Sequence, residues 1–283
     1  MNHTHPIRAA VFDIDGTLAL MDKENGTYKA LPGAVIAVAE LSRRGLPVVA
    51  YTNGTFFPPE HYYRPLAEAG FQFAPKHILT PATIAARQLL KRGLKRVMLI
   101  GAEGTRVPLR DAGIDIVEAA AGAPKVDAVL VAWTNEFNST HLDAAAQAIW
   151  NGAELFATSV APYFAGANGR MMGISGAVAA ALGNATGVKA TVFGKPSTDG
   201  MEIISEITKV AAHNMVVIGD DPKLEIEMAR SVGALAIGVT TGVADRVAFE
   251  AAPEITRAQI ILDDLVGFAD QPWFQRNPNG EKK

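Results

Sequence analysis

The stretch Val11-Phe12-Asp13-Ile14-Asp15-Gly16-Thr17-Leu18 sets two carboxylates, two positions apart, just past a buried-type strand, Ala9-Ala10-Val11-Phe12. In an open parallel sheet, ligands bind outside the carboxyl ends of the strands, so both acids stand where chemistry is expected. Their separation suits a divided role: one acid attacks while its neighbour lends and recovers a proton. Asp-Gly is also a common turn dipeptide, and this string alone is compatible with a simple turn.

Three more strand ends join it. Val48-Val49-Ala50-Tyr51-Thr52-Asn53-Gly54 ends an apolar run in a hydroxyl, an amide and a glycine, good for holding a phosphate oxygen. Phe193-Gly194-Lys195-Pro196 supplies a lysine able to neutralise phosphate and carboxylate charge. Val216-Val217-Ile218-Gly219-Asp220-Asp221 ends in acids suited to a hard cation. Each alone is weak, but four chemically matched strand exits in one order are hard to obtain by chance.

Between them, short apolar runs alternate with amphipathic stretches, which predicts an α/β protein with parallel sheets. The spacing predicts helices over 34–44, 61–69, 81–92, 107–112, 140–150, 177–182, 201–210 and 224–232, with strands at 97–100, 128–131, 155–157, 191–193 and 234–239. Residues 20–31 read as a flap with a hairpin tip at Asn25-Gly26. Gln271–Lys283, polar and rich in Pro and Asn, reads as a loose tail, and His3-x-His5 as part of a frayed start.

Composition narrows the chemistry. The 283 residues, 49% hydrophobic and 19% charged, are ordinary for a soluble enzyme. A net charge of −3 shows no basic stripe for nucleic acid or anionic lipid. No apolar run approaches a membrane span, and no apolar leader follows the start, so the expected location is cytoplasmic. The absence of cysteine excludes disulfides, thiolate zinc sites and cysteine nucleophiles. No Gly-x4-Gly-Lys-Ser/Thr string occurs, which excludes a Walker-type nucleotide site.

The four motifs resemble those of the haloacid dehalogenase superfamily: Asp-x-Asp-Gly-Thr, Ser/Thr, Lys and Gly-Asp. That resemblance implies a Rossmann-like doubly wound core, Mg²⁺ as cofactor, and hydrolysis of small phosphomonoesters. It makes Asp13 the nucleophile that becomes an aspartyl phosphate and Asp15 the general acid and base. Thr52, Asn53 and Gly54 would hold the phosphoryl group, Lys195 would pair with it and with Asp13, and Mg²⁺ would be held by Asp13, the Asp15 carbonyl and Asp220.

Spacing points to a branch. Asp13 and Thr52 are 39 positions apart, too close for an inserted domain, whereas Thr52 and Lys195 are 143 apart. A smaller α/β cap inserted after Thr52 resembles class IIA, the p-nitrophenylphosphatases, phosphoglycolate phosphatases and nucleotide or sugar phosphatases. Ile100-Gly101-Ala102-Glu103-Gly104-Thr105, Val126-Asp127-Ala128-Val129 and Phe156-Ala157-Thr158 extend the similarity through the cap. The expected division is a core of 1–82 plus 187–283 and a cap of 83–186, with a homodimer through the cap as a further implication.

Two departures stand out. Glu225 replaces the usual second aspartate of motif four, where it could order a metal-bound water, and Ser159-Val160-Ala161 replaces Asn-Pro-Asp in a substrate-facing loop. Asp221 reads as a metal ligand or, equally, as a helix cap or an acid supporting the metal ligands. Tyr163, Phe164 and Met171-Met172 face either substrate or core, and Gly101–Gly104 reads as a strand-to-helix turn. Two competing functions stay open: a phosphometabolite-binding protein without turnover, and a haloacid dehalogenase, for which Asp15 would have no use.

Overall fold

The computed structural model describes residues 5–22, 25–167 and 169–274. Strand β1 (Ala9–Phe12) leads into a hairpin of β2 (Ala19–Asp22) and β3 (Thr27–Ala30). Helix α1 (Ala34–Arg43), β4 (Val48–Tyr51), α2 (Pro59–Glu68), β5 (Ile78–Leu79) and α3 (Pro81–Lys91) follow. A second series comprises β6 (Arg96–Ile100), α4 (Glu103–Asp111), β7 (Asp115–Glu118), β8 (Ala128–Val131), α5 (Ser139–Trp150) and β9 (Glu154–Ala157). It continues through the hairpin of β10 (Tyr163–Gly166) and β11 (Gly169–Met172), α6 (Ile174–Thr186) and β12 (Thr191–Val192). The chain then returns through α7 (Asp199–Thr208), β13 (Met215–Gly219), α8 (Glu227–Ser231), β14 (Leu235–Val239), α9 (Arg246–Glu250) and β15 (Ile260–Leu262).

Two parallel sheets result. The first has the order β15-β14-β13-β1-β4-β5, the second β12-β9-β8-β6-β7. In the first sheet β1, β4, β13 and β14 are buried along their whole length, as strands covered by helices on both faces must be. Helices α1 and α2 pack on one face through Val38, Leu41, Tyr62 and Leu66, and α7 and α8 on the other through Met201, Ile204, Met228 and Ala229. The strand order reverses at β1, with β4 on one side and β13 on the other. That is the switch point at which a doubly wound sheet opens a crevice.

The second sheet is joined to the first rather than merely tethered. One apolar cluster runs continuously from Ala9, Val11 and Val49 to Leu99, Leu130, Phe156 and Phe193, with the Phe156 and Phe193 rings stacked 4.9 Å apart. Helix α3 contacts both α4 and α7 and so bridges the two layers. Strand β12, expected after the return to the core, instead pairs with β9 in the second sheet, because Phe193 N–H continues the ladder to the Ala157 carbonyl.

Other expectations shift in detail. Helix 107–112 begins earlier, at Glu103, and carries Pro108 in its interior. The helix expected over 224–232 opens as a wide-turn segment at Pro222–Ile226, because Asp221 caps it by accepting from Lys223 N–H. The glycine-rich loop before α6 is ordered as the β10–β11 hairpin, with helix resuming at Ile174 instead of 177. The flap is a hairpin, though residues 23 and 24 at its tip lie outside the described residues. Residues 271–274 of the expected loose tail pack inward, Trp273 and Phe274 meeting the ring of Phe268. Residues 275–283 and His3 lie outside the described residues, while the ring of His5 sits 4.7 Å from that of His213. Among the described residues no helix is long and apolar enough to cross a membrane.

Candidate active site

Register brings the motifs level. Phe12 pairs with both Ile218 and Ala50, so the chain leaves β1, β4 and β13 at nearly the same height. Asp13, Thr52 and Asp220 follow these three strand ends directly. Asp13, Asp15, Thr52, Lys195, Asp220 and Glu225 are all at least nine-tenths buried, at the floor of a cleft roofed by the second sheet's loops.

Lys195 organises that floor. Its ammonium donates to Asp13 Oδ1, to the Tyr51 carbonyl at 2.8 Å and to Glu225 Oε1 at 2.6 Å, which engages all three of its protons. The lysine does not follow a strand of the first sheet. It arrives from β12 on a loop that Asn53 fastens, with Asn53 Oδ1 accepting from Lys195 N–H at 2.8 Å and Asn53 Nδ2 donating to the Lys195 carbonyl at 3.0 Å. Asn53, expected at the phosphoryl group, thus commits its amide to positioning the lysine. Glu225, expected to order a metal-bound water, holds the lysine as well, and its second oxygen accepts from Asp221 N–H at 3.1 Å.

Asp15 is held at one oxygen only. Thr52 Oγ1 donates to Asp15 Oδ2 at 3.3 Å and itself accepts from Gly54 N–H at 2.9 Å, while Asp15 Oδ1 is buried without a partner among the described residues. Asp220 Oδ2 accepts from Val243 N–H at 2.6 Å. Its carboxylate lies against the Cα atoms of Gly16 and Gly242, so closely that a side chain at either position would collide with it. Gly16 is required twice, because its φ of +100° is also strained for any side-chain-bearing residue.

Crowding these acids together shifts them. Burial pushes the Asp13 carboxyl up to about 7, against the opposing pull of Lys195 and with further push from Glu225. Burial and then the Asp13 charge push Asp15 up to about 8. Asp220 moves up for the same reasons, burial first and then Asp13 and Glu225. Lys195 moves the other way from what burial alone would do, because the Asp13 and Glu225 carboxylates hold its proton firmly.

Four buried acids against one ammonium form a pocket suited to a further cation. Among the described residues no three acidic or histidine side chains converge as a self-sufficient metal cage. Mg²⁺ does not need one, since it keeps several waters and takes one or two carboxylates. The pair Asp13 and Asp220, with the backbone carbonyl of Asp15, fits that requirement.

Above the acids the walls change character. Phe56, Trp133, Tyr163, Phe164, Ile174, Leu224 and Val243 surround the upper cleft, with Ser159 and Ser175 as polar points. Tyr163 and Phe164 therefore face the cleft, whereas Met171 and Met172 do not line it and Met172 is exposed. Gly104 lies in the first turn of α4, pressed on the Thr55 carbonyl, and Trp133 N–H donates to Thr55 Oγ1 at 3.3 Å. Trp133 was legible as an aromatic just past an apolar strand. Phe56, Leu224 and Val243 carried no local signal.

Two family models match the chain, one for haloacid dehalogenase-like hydrolases over residues 10–115 and one for HAD-hydrolase-like chains over residues 192–267. The phospholysine phosphohistidine inorganic pyrophosphate phosphatase of Rattus norvegicus is 30% identical over 267 residues, covering 93% of each chain. The chain belongs to the haloacid dehalogenase-like hydrolases. Its place in their class IIA branch agrees with the solved structures it resembles. A glycerol phosphate phosphatase of Mycobacterium tuberculosis, solved with magnesium, superposes with a TM-score of 0.81 at 26% identity, covering 94% of this chain and 77% of that one. A 4-nitrophenylphosphatase of Thermotoga maritima gives 0.82 at 23% identity over 94% and 97%, a likeness of fold.

Proposed function

We propose that this hydrolase removes the phosphoryl group from small phosphomonoesters through an aspartyl phosphate on Asp13. The observation that carries the reading is the pairing of two buried carboxyls with different partners: Asp13 bound by Lys195, and Asp15 bound by Thr52 with one oxygen unengaged. Phosphoryl transfer asks for positioning and charge neutralisation more than for covalent help, and this floor offers both. The Asp13 oxygen not bound by Lys195 attacks phosphorus as the bond to the leaving oxygen breaks. Asp15, with its carboxyl pushed up to about 8, carries a proton at neutral pH and passes it to that leaving oxygen. Asp15 then takes a proton from the water that attacks phosphorus, and the bond to Asp13 breaks to release phosphate. Asp13, Asp220 and the Asp15 carbonyl would hold Mg²⁺, which would supply positive charge to the transferring phosphoryl group.

The same reading takes the core as 1–82 plus 187–283 and the cap as 83–186, with β12 hydrogen-bonded to the cap sheet before the chain crosses back. It also includes a small phosphorylated metabolite as substrate, a cytoplasmic location and a homodimer through the cap. The direct test is phosphate release from a panel of phosphomonoesters with and without Mg²⁺, in the wild type and in Asp13→Asn. Mg²⁺-dependent release that falls by about three orders of magnitude or more in the variant is expected. Undiminished activity in Asp13→Asn would overturn the proposal.

A further inference from the structure

The cleft above Asp13 is built unevenly, and the unevenness bears on the leaving group. Phe56, from the loop after Thr52, meets Trp133 with ring centroids 4.8 Å apart and Phe164 at 5.6 Å. These three rings come from separate parts of the chain: the core, the end of β8 and the β10 hairpin. Ile174, Leu224 and Val243 complete the apolar wall. Charge is distributed in the opposite sense. Among the described residues lining the cleft, Lys195 is the only cation, and Asp13, Glu225 and the Tyr51 carbonyl already engage it. Asp221 adds a further acid at the edge.

A leaving group bearing its own negative charge would enter this cleft among carboxylates, with no free cationic side chain in the lining to meet it. Burying such a charge unpaired is costly. A flat neutral ring would instead lie among three aromatic side chains, each aromatic pair contributing about 0.5–1.5 kcal/mol beyond the apolar area covered. Resting on the phosphatase reading, we infer that the leaving-group site selects a neutral aromatic alcohol and rejects anionic leaving groups. Phe56, Trp133 and Phe164 are its specificity-determining residues. Replacement of the Asn-Pro-Asp of the substrate loop by Ser159-Val160-Ala161 removes an acid from that loop, and the cation Arg170, over the Tyr163 ring at 4.5 Å, lines the adjoining cavity rather than this one.

The test compares 4-nitrophenyl phosphate with phosphoglycolate and inorganic pyrophosphate in the Mg²⁺-loaded protein. The expected kcat/KM for the aryl ester exceeds both anionic substrates by roughly a hundredfold. Trp133→Ala and Phe164→Ala are expected to raise KM for the aryl ester about tenfold while kcat changes little. Phe164→Arg, which adds a cation to the wall, should bring the aryl and phosphoglycolate values together. Calorimetric affinities of Asp13→Asn for 4-nitrophenyl phosphate and phosphoglycolate decide the same question without turnover. Tighter binding of the aryl ester supports the inference even if the wild type releases no phosphate, an outcome that counts only against the phosphatase reading. Equal or tighter binding of phosphoglycolate, or ring variants that lower all substrates alike, overturns it.

Discussion

Glu225 shows what a longer acidic side chain adds at one position. Besides the expected place near a metal-bound water, the glutamate side chain reaches Lys195 and takes the third of its protons. The close approach of Glu225 to Gly219 fixes that reach, since a side chain at 219 would occupy the glutamate's place. Glu225→Gln keeps the shape and removes the charge, weakening the lysine's anchorage by about 1–3 kcal/mol. The expected result is a fall in kcat of roughly 10- to 100-fold with KM little changed, measured by steady-state kinetics. Loss of KM alone would mean that Glu225 touches substrate instead. Asn53 carries a similar lesson, because its strand-exit position was legible whereas its commitment to the Lys195 peptide was not.

At the scale of elements, the decisive contact is between the first turn of α4 and the loop after β4. Gly104 touches the Thr55 backbone carbonyl, and Thr55 Oγ1 in turn accepts from Trp133. A methyl group at position 104 has no flexible neighbour to push aside. Gly104→Ala is expected to cost about 1–3 kcal/mol as overpacking, lowering Tm by several degrees in calorimetry. It should also raise KM for an aryl ester, because Trp133 and Phe56 move with the displaced seam. A second seam lies opposite, where Ala167 N–H, just past β10, donates to the Met21 carbonyl of the flap. Element types in the core were readable because their apolar runs and helical spacing are local. The β10–β11 hairpin was not, since its glycines carry no periodic pattern and its strands pack on the flap.

The whole molecule carries a liability at its centre. Asp13, Asp15 and Asp220 are buried together, and each carboxyl is pushed upward, Asp13 to about 7 and Asp15 to about 8. An acid whose folded value lies above its unfolded one near 3.8 binds its proton more tightly in the native state. Its contribution to stability is therefore fully present below that unfolded value and is lost as pH rises through the folded one. With divalent cations chelated, Tm is expected to fall between about pH 4 and about pH 8. Asp15→Asn should flatten the fall and raise Tm at the upper end by several degrees, at the expense of activity. Added Mg²⁺ should restore wild-type Tm there through preferential binding to the native state. A Tm that climbs with pH in the chelated protein would contradict this. Sequence by itself determined the α/β class, the core strands and the identities of Asp13, Asp15, Thr52, Lys195 and Asp220, because each motif sits within a few residues of a locally readable strand. Tertiary structure alone decided that β12 joins the second sheet, that Asn53 and Glu225 serve the lysine, and that Phe56, Trp133 and Phe164 converge over the acids. Those outcomes depend on contacts between segments far apart in the chain, which no local pattern encodes.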